Sequence, residues 1–239
     1  MVTRPAVDLP PVIADWFAER GWSPRRHQLE MLAAARAGRN ALLVAPTGAG
    51  KTLAGFLPSL VDMVEMRDSV RAERNSAGLH TLYVSPLKAL AVDVQRNLLT
   101  PIAEMGLDIR VETRTGDTPA DRKARQRVKP PQMLLTTPES LSLLLSHEDS
   151  VGLFEGLSTI VIDEVHAFAT GKRGDLLSLS MARLQRLAPN LRRVALSATV
   201  ADPEAYQGWL APDADVETVG VVLGDPGAEP TISIMLPED

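Results

Sequence analysis

Ala45-Pro46-Thr47-Gly48-Ala49-Gly50-Lys51-Thr52 is the stretch on which the reading of this chain turns. It follows an apolar run, Ala41-Leu42-Leu43-Val44, that reads as a buried strand. It precedes a helical pattern from Leu53 to Met66. Strand, Gly-rich turn and helix together form the context of a phosphate-binding loop. Glycines let the backbone fold round an anion, and successive N–H groups point inward at the positive end of the new helix. Thr47, Gly48, Ala49, Gly50, Lys51 and Thr52 are therefore candidate phosphate contacts. Lys51 adds a mobile charge for the outer phosphates, and the Thr52 hydroxyl is a candidate magnesium ligand. The general pattern G-x-x-x-x-G-K-[ST] is broken at its first position, where Ala45 stands for glycine.

Bulk composition narrows the classes. At 239 residues the chain is long enough for one large α/β domain or two small ones. Lys plus Arg is 25 and Asp plus Glu is 30, so the net charge is −5. Such a chain does not coat nucleic acid through bulk charge, and any contact of that kind must be local. There is no cysteine, which excludes disulfides, thiolate zinc and cysteine-held iron–sulfur clusters. His27, His80, His147 and His166 show no ligand spacing. No apolar run approaches ~20 residues and no signal segment opens the chain, so the expectation is a cytoplasmic protein without membrane contact.

Outward from the loop the pattern alternates. Residues 1–10 read as an untethered lead-in. A short helix starting at Pro10-Pro11 presents Val12, Ile13, Trp16 and Phe17 and ends at Gly21. Ser23-Pro24 reads as the N-cap of a second helix that stops at Gly38. Strands are expected at 41–44, 79–84, 109–113, 132–136, 159–163 and 194–197. Helices are expected at 53–66, 87–105, 119–129, 138–145, 175–188 and 203–210. Pro58 should kink the first of these or cost it a hydrogen bond, and Pro101 marks a possible break in the second. Arg67 to Gly78 reads as a surface loop. Alternating strands and helices argue for a doubly wound, mostly parallel sheet flanked by helices, with ligands beyond the carboxyl ends of the strands. The expected division is a helical lead-in over 1–38, a nucleotide-binding domain over 39–219, and a connector over 220–239. That connector holds a turn at Gly224-Asp225-Pro226-Gly227 and a lone strand-like run at 231–236.

Three further groups carry chemistry. Asp163-Glu164-Val165-His166 places acids at the tip of an apolar strand. Beside a phosphate loop, Asp163 suits a magnesium ion and Glu164 suits activation of water; otherwise both are solvated acids at a strand end. Ser197-Ala198-Thr199 closes the last strand. Its hydroxyls either bond His166 and Glu164, coupling the site to another part of an enzyme, or serve an ordinary turn. Gln28 offers an amide that matches the edge of adenine, or is a solvated helix glutamine.

In order, Gln28, 45–52, Pro86-Leu87-Lys88-Ala89-Leu90, Thr115-Gly116-Asp117, Thr136-Thr137-Pro138-Glu139-Ser140, 163–166 and 197–199 resemble the motif series of superfamily 2 DEXH-box helicases. Their wording is similar to the large helicase-related family. Arg114 to Pro119 and Lys172-Arg173-Gly174 are similar to its ligase-associated, DNA-damage-response branch. The resemblance covers roughly Trp22 to Glu238, and Ala45 looks like a usual variant within it. It implies a RecA-like P-loop fold, ATP and Mg2+ as cofactors, and Lys51, Asp163, Glu164 and His166 as the catalytic set. It implies single-stranded DNA or an RNA:DNA hybrid lying across Pro86, Lys88, Arg114, Thr115, Gly116, Thr137 and Pro138. The grip would be on the backbone and not on base sequence. Arg114 either touches phosphate or covers the sheet edge, and Lys172 and Arg173 are similarly divided.

The resemblance also implies a second RecA-like domain of the same polypeptide, which supplies arginines to the γ-phosphate. This chain is expected to stop where that domain begins, and so to bind nucleotide, turn it over poorly and not unwind. DNA-repair proteins as partners and a nucleoid-associated location follow from the branch alone. An RNA-directed motor and a nucleotide-binding module without turnover are the alternatives.

Overall fold

The computed structural model describes residues 7–68, 78–168, 171–200, 202–211, 213 and 215–225. Its strands are β1 (Asn40–Val44), β2 (Thr81–Val84), β3 (Val111–Arg114), β4 (Met133–Thr136), β5 (Thr159–Ile162), β6 (Arg192–Ser197) and β7 (Val219–Leu223). They form one sheet in the order β3-β4-β2-β5-β6-β1-β7, and every pairing is parallel. The helices are α1 (Pro11–Glu19), α2 (Arg26–Arg36), α3 (Lys51–Asp68), α4 (Lys88–Glu104), α5 (Ala120–Val128), α6 (Pro138–Leu145), α7 (Ser150–Phe154), α8 (Lys172–Leu187) and α9 (Pro203–Leu210).

Side chains on a strand alternate between its two faces, and the core divides accordingly. Leu43, Tyr83, Val161 and Leu196 bury against α1 to α4, through Ile13, Phe17, Leu32, Phe56 and Leu98. Leu42, Leu82, Val84, Ile160 and Ile162 bury against α6 to α9, through Leu141, Phe154, Leu177 and Leu210. Central strands covered on both faces explain why these segments read as near-continuous apolar runs. The class is α/β, doubly wound and wholly parallel among the described strands.

Several expectations are corrected. α4 runs unbroken through Pro101, where a break was expected, while α3 continues through Pro58 at the expected cost of one hydrogen bond. Phe56, Leu57, Leu60, Val61 and Val64 are all buried around Pro58, so packing outweighs the one lost bond. The N-cap of α2 is Arg25 rather than Ser23. Its backbone N–H donates to Gln28 Oε1 at 2.9 Å, so a side chain inside the helix satisfies its start. The lead-in is tethered from Val7 onward, since Val7 and Leu9 pack on the core. The boundary at 219/220 falls inside β7, whose five residues pair with all five of β1. Residues 69–77 of the expected surface loop and the run at 231–236 lie outside the described residues. Among the described residues, no helix is long and apolar enough to cross a membrane.

At the opposite end of the strands from the loops, His80 is 8% exposed beside Asp62 and Arg192. Burial, opposed by Asp62, lowers its pKa to about 4. The unfolded chain then takes up a proton near pH 6.5 that the folded one refuses until about pH 4. Stability is therefore lost as pH falls through that window, by about 3 kcal/mol in total. His80→Asn should flatten the melting-temperature profile between those limits. An unchanged acid slope would show that other groups set it.

Candidate functional site

Strands β1, β6, β5 and β2 are consecutive neighbours, so the loops leaving their carboxyl ends lie side by side. This is the crevice where open parallel sheets bind ligands. The loop after β1 turns on two glycines in the left-handed region, Gly48 at φ 79° and Gly50 at φ 77°. A Cβ on Gly50 would lie 3.0 Å from Gln28 Nε2. The loop is anchored from several sides. Ala45 N–H donates to Ser197 O at 3.0 Å, Ala49 N–H to Pro46 O at 3.1 Å, and Arg25 Nη1 to Gly48 O at 3.4 Å. Lys51 is 9% exposed, and its Nζ donates to Ala45 O at 2.9 Å. The N–H groups of Gly48, Gly50, Lys51 and Thr52 have no acceptor among the described residues. They are free donors at a helix start.

His27 is fully buried, with Nε2 2.9 Å from Ala49 O. A carbonyl only accepts, so Nε2 carries the proton and Nδ1 is a buried lone pair without a hydrogen-bond partner. Burial lowers the His27 pKa, which keeps the ring in this neutral form. Gln28, 3% exposed, has its oxygen engaged by Arg25 and its nitrogen directed at the loop.

Asp163, 8% exposed, stands beyond the tip of β5. It accepts a 2.5 Å hydrogen bond from Tyr83 Oη and one of 3.0 Å from Glu164 N–H. Burial raises its pKa, against the pull of these two donors, Lys51 and His166. Burial and the Asp163 charge push the Tyr83 pKa well up, so the phenol stays a donor. Tyr83 itself stacks on Phe56 of α3, with ring centroids 4.8 Å apart. The helix that follows the Gly-rich loop thus fixes the ring that holds Asp163.

Glu164 adopts φ 47°, ψ 50°, the one non-glycine positive φ among the described residues. Such a backbone costs roughly 1–2 kcal/mol and clusters at functional sites. Its Oε2 is buried and accepts no hydrogen bond, although His166 Nδ1 lies 3.3 Å away. His166 Nδ1 is also 3.1 Å from Ser197 Oγ. The Ser197 hydroxyl donates its only proton to Thr199 O at 2.9 Å, so it accepts from His166, and Nδ1 carries the proton. A chain of contacts thus runs from Glu164 through His166 to Ser197 and the turn after β6. Thr199 enters through its carbonyl, and its exposed side chain bonds neither His166 nor Glu164. Here the expectation of two participating hydroxyls is corrected: the turn exposes the second one.

The loops after β2, β3 and β4 bring most of the remaining candidates to the same end of the sheet. Pro86 is buried and Lys88 exposed, with Nζ donating to Asp117 at 2.8 and 3.0 Å. Thr115 N–H donates to Thr118 Oγ1 at 2.9 Å, and Gly116 O accepts from Lys123 at 2.9 Å. Thr137 caps α6, its Oγ1 accepting from Ser140 N–H at 3.5 Å, with Pro138 as the first helical residue. Arg114 does not join this surface. It is 5% exposed, and its Nη1 donates to Lys123 O at 2.8 Å and Gln126 Oε1 at 3.3 Å. In this structure the cation lies beneath α5 and covers the sheet edge. Arg173 reaches across instead, donating to Pro86 O at 2.8 Å and Glu139 Oε1 at 2.6 Å.

Sequence reasoning missed His27, Tyr83 and the acids Asp117 and Glu139 as partners of cations. Tyr83 is an interior strand residue by pattern. Only the strand order β2-β5 puts it beside Asp163. Among the described residues, no group of three or more His, Cys, Asp or Glu forms a metal cage.

A parallel sheet whose first strand feeds a Gly-rich loop, with an Asp-Glu pair two strands away, defines a RecA-like P-loop domain. More particularly, the chain belongs to the DEAD/DEAH box helicase family, whose model matches residues 25–207. It is 41% identical over 216 residues to an Lhr helicase/probable uracil glycosylase of Mycolicibacterium smegmatis, covering 86% of this chain and 14% of that protein. It is 39% identical over 221 residues to the Lhr helicase/uracil glycosylase of Escherichia coli, covering 87% and 14%. The structure of Mycobacterium smegmatis helicase Lhr bound to ssDNA and AMP-PNP matches with a TM-score of 0.80 and 37% identity, over 92% of this chain and 28% of that one. The chain thus spans about a seventh of the length of those two relatives.

Proposed function

We propose that this chain is the first motor domain of an ATP-dependent DNA helicase or translocase. One observation carries the reading: a free-donor loop holding Lys51, the buried Asp163 and the half-buried Glu164 share the carboxyl end of one sheet. The site suits a magnesium nucleotide. Two left-handed glycines leave the cradle open, four N–H groups are undirected, and Glu164 Oε2 is a buried acceptor without a hydrogen-bond donor. A bound Mg-ATP would supply the phosphoanhydride that is hydrolysed. Thr47 to Thr52 would surround its phosphates, with the Lys51 ammonium on the outer ones; Gln28 would meet the base only by releasing its bond to Arg25. Among the described residues there is no metal cage, and the Thr52 hydroxyl and Asp163 would hold the ion together with the nucleotide. Glu164 would take the proton of the attacking water, and His166 and Ser197 would relay the state of the site to the turn after β6.

The loops at Pro86–Lys88, Thr115-Gly116 and Thr137-Pro138 would hold single-stranded DNA by its backbone. The Lhr structure bound to ssDNA and AMP-PNP, at 37% identity, supports both ligands. A second RecA-like domain would complete the nucleotide site. A role in DNA repair at the nucleoid rests on the resemblance of 114–119 and 172–174 alone.

ATP turnover by the 239-residue chain, with and without single-stranded DNA, tests this. Measurable Mg-nucleotide binding with little turnover is expected, since an arginine supplied by a second domain contributes about 10³–10⁵ in related hydrolases. Strong stimulation by DNA, or any strand separation, would mean that the site is completed some other way. Stimulation by RNA and not by DNA would replace the DNA reading with an RNA-directed motor.

A further inference from the structure

Ala45 departs from the general loop pattern, and its methyl has a specific neighbour. Gly224, the residue after β7, donates its N–H to Val44 O at 2.7 Å. A Cβ on Gly224 would overlap the Ala45 methyl and lie 3.0 Å from its Cα. Gly224 has no positive φ, so the close approach alone demands glycine there. Arg26 grips the residues on either side. Its Nη2 donates to Leu223 O at 2.9 Å and its Nε to Asp225 Oδ1 at 3.2 Å. The next two residues of α2 face the other way. His27 bonds Ala49 O, and Gln28 Nε2 closes on Gly50. One turn of helix therefore holds the segment leaving the sheet and the phosphate-binding loop at once.

We propose that Gly224 and Arg26 are positioning residues that key the segment leaving β7 to the first residue of the loop, so that displacing this segment alters nucleotide affinity. This rests on the assignment of 45–52 to nucleotide phosphates. Linkage makes the effect reciprocal: nucleotide in the loop stabilises the seated segment.

The test measures Mg-ADP affinity and thermal melting of the 239-residue chain as wild type, Gly224→Ala, Ala45→Gly/Gly224→Ala and Arg26→Gln. Gly224→Ala should weaken Mg-ADP about tenfold or more, because the added methyl must push the loop or the exit segment aside. Removing the Ala45 methyl in the double variant should restore affinity to within about threefold of wild type, a rescue that general destabilisation does not produce. Arg26→Gln introduces no overlap. It should weaken Mg-ADP about threefold or more and speed hydrogen exchange at the Gly224 amide. Mg-ADP should slow that exchange in the wild type.

The proposal is overturned if Gly224→Ala binds like wild type, or if the double variant binds no better than Gly224→Ala. Should Gly224→Ala not fold, an unchanged affinity in Arg26→Gln overturns it. A wild type that binds no Mg-ADP, and is indifferent to Lys51→Ala, would instead refute the nucleotide site on which the proposal stands.

Discussion

Lys51→Ala is expected to abolish useful nucleotide binding while leaving the fold intact. The ammonium is nearly enclosed, and its Nζ donates to a loop carbonyl 2.9 Å away, Ala45 O. It is poised to exchange that neutral acceptor for an anionic one. Hydrogen bonds to charged groups contribute about 1.5–3 kcal/mol, which is roughly 10- to 150-fold in Kd. In turnover the loss should be larger, about 10²–10³, because a fixed positive charge facing a phosphoryl group stabilises the negative charge that develops there. The stem of Lys51 lies at the first residue of α3, and alanine is a better helix former there. Thermal melting should therefore hardly move. Titration of Mg-ADP into both proteins decides the matter: equal affinities would mean that the loop is a bare helix start.

Glu164→Gln should have the opposite signature, with nucleotide bound and chemistry stopped. Gln keeps the shape, so the left-handed backbone at 164 need not change. The amide cannot accept the proton that Oε2 is placed to take. General base catalysis contributes about 10²–10⁴, and a loss of that order is expected in the polypeptide that carries its second domain. Mg-nucleotide affinity should stay within a few-fold, because Oε2 makes no hydrogen bond that the substitution would break. Undiminished DNA-dependent turnover in that variant would remove Glu164 from the mechanism and favour a module that binds without hydrolysing.

What could be read in the chain was local. The run 41–44, the Gly-rich turn and the helix after it are contiguous, and pattern alone orders them. The tips of β5 and β6 were visible as apolar runs ending in Asp163 and Ser197. The rest depended on partners far along the chain. β7 escaped because Gly220 interrupts a short apolar run, and its pairing partner is β1. For Arg114 the chain left phosphate contact and sheet-edge cover open, and only α5, supplying the Lys123 carbonyl above it, separates the two. Ser23-Pro24 carried a good cap signal that Gln28, reaching back to Arg25, made redundant. Pro58 and Pro101 were weighed by their local cost, whereas burial of the helix around them settles the outcome.

The strand order has a consequence for how the protein is made. β1 lies between β6 and β7, the last two described strands in sequence, and Asn40 Oδ1 accepts from the backbone of Arg193, 153 residues further on. A ribosome adding ~5–20 residues per second needs roughly 8–30 s to cover that distance. Throughout it the strand that launches the Gly-rich loop has neither neighbour. β2 can pair with β4 and β5 earlier, so that half of the sheet has the shorter loops to close. The Gly-rich loop is thus among the last parts of the nascent domain to take shape, and chaperones would meet it bare.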